Sequence, residues 1–191
     1  MTEINNLKKV TPHRSDKYFI DTNVWFWVTY AASNEIETPN APLRYQLQEY
    51  PAFIEKILDE GACIYHSPLT LSELTNIVEK TEYDIYKEDT GEELTRKQFR
   101  MLPELRARVM GEVSNAWKQI TQMSESLDIN IDANISNKAL DALNKHCLDA
   151  YDAFYIESMA VNQITKIVTD DSDFNGLDLS LYTANNRLVR Q

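Results

Sequence analysis

The chain predicts a three-layer α/β/α sandwich on a mainly parallel sheet of about five strands. Three observations carry that expectation. Short β-rich runs alternate with longer segments whose apolar residues recur at helical spacing. One such unit, Tyr151 to Thr169, is helix-compatible as far as Gln163, turns β-rich from Ile164, and has aspartates at both ends. Finally, 191 residues at 43% hydrophobic content supply a full core for one domain, and only 4 glycines argue against long flexible linkers.

Residues 1–16 are polar and mixed in charge, and read as a loosely ordered N-terminal arm before a single domain over 17–191. Tyr18-Phe19-Ile20 is the first strand, ending on Asp21-Thr22-Asn23. The aromatic run Val24 to Tyr30 then suits a helix packed on the sheet, since clustered aromatics bury large areas. After a loop over 33–42, Leu43 to Glu60 carries Leu47, Tyr50, Phe53, Ile54 and Ile57 on one helical face, and Gly61 stops it. Ala62 to His66 is the second strand. Ser67-Pro68 predicts a cap followed by proline at the first helical position, opening a helix through Leu71, Leu74 and Val78 with Glu73 on its flank.

Thr81 to Glu93 is acidic, with a turn at Asp89-Thr90-Gly91, and the sign then reverses at Arg96, Lys97, Arg100, Arg106 and Arg108. This stretch, part of a helical insertion around 80–126, has two readings: a surface that contacts substrate phosphates, or a solvated helical face laced with salt bridges. Leu127, Ile129 and Ile131 alternate with polar residues as a short third strand. Ser136 is expected to cap a helix through Leu140 and Leu143 that ends near His146, a helix-terminal histidine without ligand-spaced partners. The unit from Tyr151 and a last strand, Leu179 to Thr183, complete the sheet.

Net charge is −11, from 19 Lys plus Arg against 30 Asp plus Glu, which disfavours a protein that coats nucleic acid through its bulk surface. Cys63 and Cys147 sit in apolar runs and are expected as buried, reduced thiols; no spacing suits structural zinc. The N-terminus lacks the apolar core of a signal peptide and no apolar run approaches a membrane span, so the expectation is a cytoplasmic protein without a membrane partner.

The chemistry lies in the acids. Asp21 follows the first strand, Glu73 follows the second, Asp152 opens the helix before the fourth, and Asp171 follows that strand, so all four reach the crevice where α/β sheets bind ligands. Two ionised carboxylates about 4 Å apart repel by roughly 4 kcal/mol at an effective dielectric near ~20, so such a cluster needs a cation or must hold protons. All-oxygen donors select Mg²⁺ or Mn²⁺ over zinc, and suit metal-assisted attack of water on a phosphodiester. Asp149, three residues ahead of Asp152, reads as a helix cap, and Asp170 as directed away from the crevice, because neighbours in an extended segment alternate sides.

The ordered set Asp21-Thr22-Asn23, Ser72-Glu73-Leu74, Asp152-Ala153 and Thr169-Asp170-Asp171-Ser172-Asp173-Phe174 resembles the PIN-domain nucleases over residues 17 to about 184. The resemblance implies an endoribonuclease in which Asp21, Glu73, Asp152 and Asp171 bind Mg²⁺ or Mn²⁺ and Asp173 supports the metal. It also implies that Thr22, Asn23 and Thr169 orient those carboxylates by hydrogen bonds. Many small members are the toxins of bacterial toxin–antitoxin pairs, so RNA is the implied substrate and an antitoxin or other protein inhibitor an implied partner. The chain is longer than those toxins, mainly between Glu79 and Asn130 and in the arm. A two-fold homodimer, the commonest soluble assembly, is a further expectation. The alternative from another class is a catalytically silent PIN-like domain that binds RNA or protein. A haloacid-dehalogenase-like phosphatase would want an Asp where Asn23 stands, and a receiver-like domain an acid pair after its first strand and a Lys after its last; neither pattern is present.

Overall fold

The computed structural model describes residues 2–189. Six parallel strands, β1 (Glu3–Asn6), β2 (Lys17–Ile20), β3 (Cys63–His66), β4 (Glu125–Ser126), β5 (Lys166–Val168) and β6 (Ser180–Thr183), form one sheet in the order β1-β6-β5-β2-β3-β4. Eight α-helices accompany them among the described residues: α1 (Thr22–Thr29), α2 (Arg44–Asp59), α3 (Thr70–Thr90), α4 (Arg96–Met101), α5 (Pro103–Met123), α6 (Ala133–Lys145), α7 (Ala150–Val161) and α8 (Asn186–Val189). This is the α/β sandwich that the alternation of elements predicts.

The period-two rule of strands divides the core into two layers. Tyr18, Ile20, Ile64, Val168 and Tyr182 face a cluster with Trp25, Tyr50, Phe53, Leu74, Val113 and Ile120 from α1, α2, α3 and α5. Phe19, Ile167 and Leu181, one register step away, face Tyr155 and Met159 of α7 together with Phe174. The aromatic run of α1 is core, as its composition predicts: Trp25, Phe26 and Trp27 are all buried. Strand β2 sits centrally, paired with β3 on one side and β5 on the other, so chain direction across the sheet switches there. The carboxyl ends of β2 and β5 therefore flank the crevice where an α/β sheet places its ligand.

Five local readings change. Residues 2–16, read as a loose arm, supply the edge strand β1, which pairs with β6 from Glu3↔Ser180 to Asn6↔Thr183, while Leu7 enters the core at 1% exposure. The polar side chains of that strand conceal it from periodicity, because its pairing rests mainly on backbone hydrogen bonds, with one side-chain bond from Ser180 to Glu3 at 3.3 Å. The third strand comes earlier than Leu127 to Ile131: β4 is Glu125–Ser126, the N–H of Leu127 still donates to the His66 carbonyl at 2.8 Å, and Ile131 is exposed. Asp132, not Ser136, caps α6, its carboxylate accepting from the N–H of Ile135 at 2.9 Å. Ser67 accepts from the N–H of Leu69 in a turn that precedes α3, so the helix opens at Thr70 rather than at Pro68. Both cysteines are exposed rather than buried, Cys63 because it takes the outward position at the start of β3.

The basic stretch resolves toward its salt-bridged reading. Arg96, Arg100 and Arg106 converge on the buried carboxylate of Glu79, at 3.0, 2.5 and 3.7 Å, and Arg108 meets buried Glu82 at 2.8 Å. Tyr30 also donates to Glu82, at 2.7 Å. These pairs tie α4 and α5 to α3, and the guanidinium groups hold Glu79 below the usual carboxylate range. Of the five basic residues, Lys97 alone has no ion pair among the described residues.

Candidate active site

Asp21 is the residue after β2, held there as its N–H donates to the Val168 carbonyl of β5 at 3.1 Å. It is also the N-cap of α1, so its carboxylate stands at the sheet edge and at a helix N-terminus. Thr169, the residue after β5, donates from Oγ1 to Asp21 Oδ2 at 2.8 Å, and the Asn23 N–H also donates to this carboxylate. Thr169 and the backbone of Asn23 thus hydrogen-bond to Asp21. Thr22 acts elsewhere. Its hydroxyl lies 2.8 Å from the Tyr155 hydroxyl and bonds to the Glu73 side chain.

Glu73 lies in the first turn of α3 and accepts a 2.5 Å hydrogen bond from Tyr155. Asp152 is in the first turn of α7 and 6% exposed; its N–H donates to the carboxylate of Asp149, which caps the helix as the sequence suggests. Asp171 is fixed in the loop after β5, where its N–H donates to Thr169 Oγ1 and its carboxylate accepts from the N–H of Asp173 at 2.9 Å. Asp173 itself is exposed at the rim. Asp170, expected to be directed away from the crevice, lines the cleft beside Asp171 and adds to the charge that Asp171 feels. Its carboxylate accepts from Tyr45 at 2.8 Å, Gln46 at 3.0 Å and Tyr50 at 2.6 Å, which latches the loop onto α2.

The four central acids act on one another. Burial, then the charges of Glu73 and Asp171, push Asp21 up to about 7. Asp152 is pushed up to about 9, first by burial and then by Asp21, Asp149, Asp171 and Glu73. Glu73 is raised by burial, against the hydrogen bonds from Thr22 and Tyr155, and Asp171 is raised by burial with Asp173 and Asp149 adding to it. Among the described residues, however, no group of three or more Asp, Glu, His or Cys side chains is closed into metal-ligating geometry. The structure brings Asp21, Glu73, Asp152 and Asp171 into electrostatic contact. Asp149, read only as a cap, is a fifth charge that this cluster feels.

Tyr155, Tyr50, Tyr45 and Gln46 are the residues that sequence reasoning missed. Tyr155 had a signal, because three residues after Asp152 it shares that residue's helix face. Two adjoining clefts open beside the acids. A space of about 270 Å³ is bounded by Asp170, Asp171 and Ser172 on one side and Asn23, Trp27 and Gln46 on the other. The last three also line a neighbouring space of about 320 Å³ that runs over α1 toward α3.

The described helices include none long and apolar enough to cross a membrane. No functionally curated protein matches the chain. The solved structure of VapBC2 from Rickettsia felis bound to a DNA fragment from their promoter is similar over 87% of this chain and 98% of that chain, at 16% identity and a TM-score of 0.49. The family model described as the PIN domain matches residues 45–179, a span that contains Glu73, Asp152, Asp171 and Asp173 and begins after Asp21. With most of its length matched, and its acids arrayed at the sheet's switch point, the chain belongs to the PIN-domain family.

Proposed function

We propose that this protein is a metal-dependent endoribonuclease whose site is Asp21, Glu73, Asp152 and Asp171, with Asp173 at the rim. The observation that carries the reading is electrostatic: two buried carboxylates, Asp21 and Asp152, are driven toward protonation by burial and by each other's neighbours at the ligand-binding edge of the sheet. A site built this way is unfavourable in its ionised form unless a cation neutralises it. The donors are all oxygen, which fits Mg²⁺ or Mn²⁺. Such an ion supplies charge neutralisation and acidifies water for attack on a phosphodiester.

The chain's own residues do the positioning. Thr169 and the Asn23 N–H fix Asp21, Tyr155 and Thr22 fix Glu73, and the Asp173 N–H fixes Asp171, so the carboxylates are held before substrate arrives. Asp152, held neutral at pH 7 by its surroundings, is the acid whose ionisation would be coupled most strongly to ion binding. Membership of the PIN family supports a further reading as the toxin of a toxin–antitoxin pair, with a protein inhibitor as partner and a two-fold homodimer as assembly. Of the basic residues first considered for substrate, only Lys97 keeps an unpaired charge among the described residues, so Arg96, Arg100, Arg106 and Arg108 serve mainly to brace α4 and α5.

The open spacing of the acids favours one second reading, a catalytically silent PIN-like domain that binds RNA or protein. One assay separates the two. Purified protein is incubated with a mixed pool of single-stranded and structured RNA in Mg²⁺, Mn²⁺ or EDTA, beside Asp21→Asn. The nuclease reading expects cutting in either metal, none in EDTA and none in the variant. Cutting that persists in EDTA or in Asp21→Asn would contradict it, and binding without cutting would establish the silent domain.

A further inference from the structure

Beside the acids lies a small buried group of uncharged oxygens. Thr22 opens α1 directly after Asp21, and Tyr155 lies one turn past Asp152 on α7; both are 0% exposed. The Tyr155 hydroxyl donates to Glu73 Oε2 at 2.5 Å and lies 2.8 Å from Thr22 Oγ1, while Thr22 also bonds to the Glu73 carboxylate. One oxygen atom thus ties together the starts of α1, α3 and α7, the helices that present Asp21, Glu73 and Asp152. The ring that carries it is held separately, its centroid 5.2 Å from that of Phe19 in the core cluster that also contains Met159 and Phe174. Packing and hydrogen bonding at Tyr155 are therefore separable, because phenylalanine keeps the ring and loses only the hydroxyl.

The hydroxyl decides how many oxygens Glu73 can offer. Asp21 has Oδ2 engaged by Thr169, Asp171 has Oδ1 engaged by the Asp173 N–H, and Glu73 has Oε2 engaged by Tyr155 in the shortest of the three bonds. A carboxylate held this way meets a cation with its other oxygen. Chelation by both would break the hydrogen bond, and at a buried position the freed hydroxyl has no solvent to turn to. Divalent ions differ in what they ask of such a group. Mg²⁺ takes single oxygens in a near-octahedral array and keeps several waters, whereas Ca²⁺ gathers roughly six to eight oxygens at longer range, often two from one carboxylate. Mn²⁺ suits the same octahedral oxygen set as Mg²⁺.

We propose that Tyr155 is a positioning residue that sets the metal preference of this site: by holding Glu73 Oε2, its hydroxyl confines Glu73 to binding through one oxygen and favours Mg²⁺ or Mn²⁺ over Ca²⁺. Thr22 supports the same restraint from α1. Without the hydroxyl Glu73 offers both oxygens, which the larger ion uses and the smaller ones do not. The proposal rests on the metal-dependent reading above and adds which side chain selects among divalent cations.

The test is calorimetric titration of Mn²⁺ and, separately, of Ca²⁺ into metal-free wild type, Tyr155→Phe and Thr22→Val at pH 7.5, with the melting temperature of each protein measured alongside. Expected is a wild-type preference for Mn²⁺ of at least about tenfold, shrinking by about tenfold in Tyr155→Phe, because Mn²⁺ loses a pre-set ligand while Ca²⁺ gains an oxygen. Thr22→Val should move the ratio the same way by a smaller factor, and it tests the restraint even if Tyr155→Phe fails to fold. A purely structural tyrosine would weaken both ions alike. A ratio unmoved in folded Tyr155→Phe, or in Thr22→Val where Tyr155→Phe does not fold, would therefore overturn the proposal. RNA cleavage by wild type in the same buffers keeps the two claims apart. Mn²⁺-dependent cutting with an unmoved ratio sinks only the selectivity role, and a shifted ratio without cutting sinks only the nuclease. A wild type that binds neither ion sinks the metal site and this proposal with it.

Discussion

Asp152→Asn is expected to abolish RNA cleavage, by roughly a thousandfold or more in kcat/KM, while raising the melting temperature of the metal-free protein at pH 8. The two effects have one cause. Asp152 is 6% exposed and feels Asp21, Asp149, Asp171 and Glu73, so ionising it in the folded state is unfavourable without a cation. An asparagine of the same shape removes that charge and one oxygen donor with its negative charge. The N–H of residue 152 still donates to Asp149, so the start of α7 is kept. Steady-state cleavage of a fluorogenic RNA and thermal denaturation in EDTA measure the two halves. A variant that loses both activity and stability would make Asp152 a structural residue rather than a functional one.

The second large effect is on stability against pH. Folded Asp21 and Asp152 are pushed up to about 7 and about 9 from an ordinary value of 3.8, so across that range the folded chain binds protons that the unfolded chain has released. Stability therefore falls as pH rises. Buried His66, pushed down to about 4, works in the opposite sense, but only below its unfolded value of 6.5. The clean window is thus pH 6.5 to 9, where Asp21 contributes up to about 7 and Asp152 through to about 9. Over it the metal-free melting temperature should drop by about 8–15 °C, corresponding to ~4 kcal/mol for a chain of this size. Saturating Mn²⁺ should remove most of that slope, and so should Asp152→Asn. A melting temperature that is flat or rising across this window in EDTA would show that the acids are not mutually destabilised.

The site was legible where side chains and strand ends coincide. Asp21 and Asp171 stand just past β-rich runs, and their hydrogen-bonding neighbour Thr169 sits in the same sequence motif, so sheet geometry alone aims them at one crevice. Asp149 as the cap of α7 followed from its spacing to Asp152. Contacts between distant elements were not legible. That Asp170 is caught by Tyr45, Gln46 and Tyr50, more than a hundred residues away, follows from how α2 packs, and an apolar helix face does not announce what its tyrosine hydroxyls will reach.

The arginines illustrate the same limit in reverse. A run of like charges is visible in sequence, but the carboxylates that absorb it, Glu79 and Glu82, sit at the start of an acidic stretch where they look solvated. Burial at 3% and 2% makes them anchors instead. Edge strand β1 was hidden for a related reason: Glu3, Asn5 and Asn6 lack β character, and the strand exists because β6 offers an unpaired edge.

The measurement that bears most directly on this account is calorimetric titration of Mn²⁺ into metal-free protein at pH 7.5, for wild type, Asp21→Asn and Asp152→Asn. The account predicts saturable binding to wild type with proton release, seen as a heat that changes with buffer ionisation enthalpy, because Asp152 must give up its proton. It predicts binding at least about tenfold weaker in each variant, and loss of the proton release in Asp152→Asn. Equal Mn²⁺ affinity in all three proteins, or no binding to wild type, would contradict it and remove these carboxylates as a metal site.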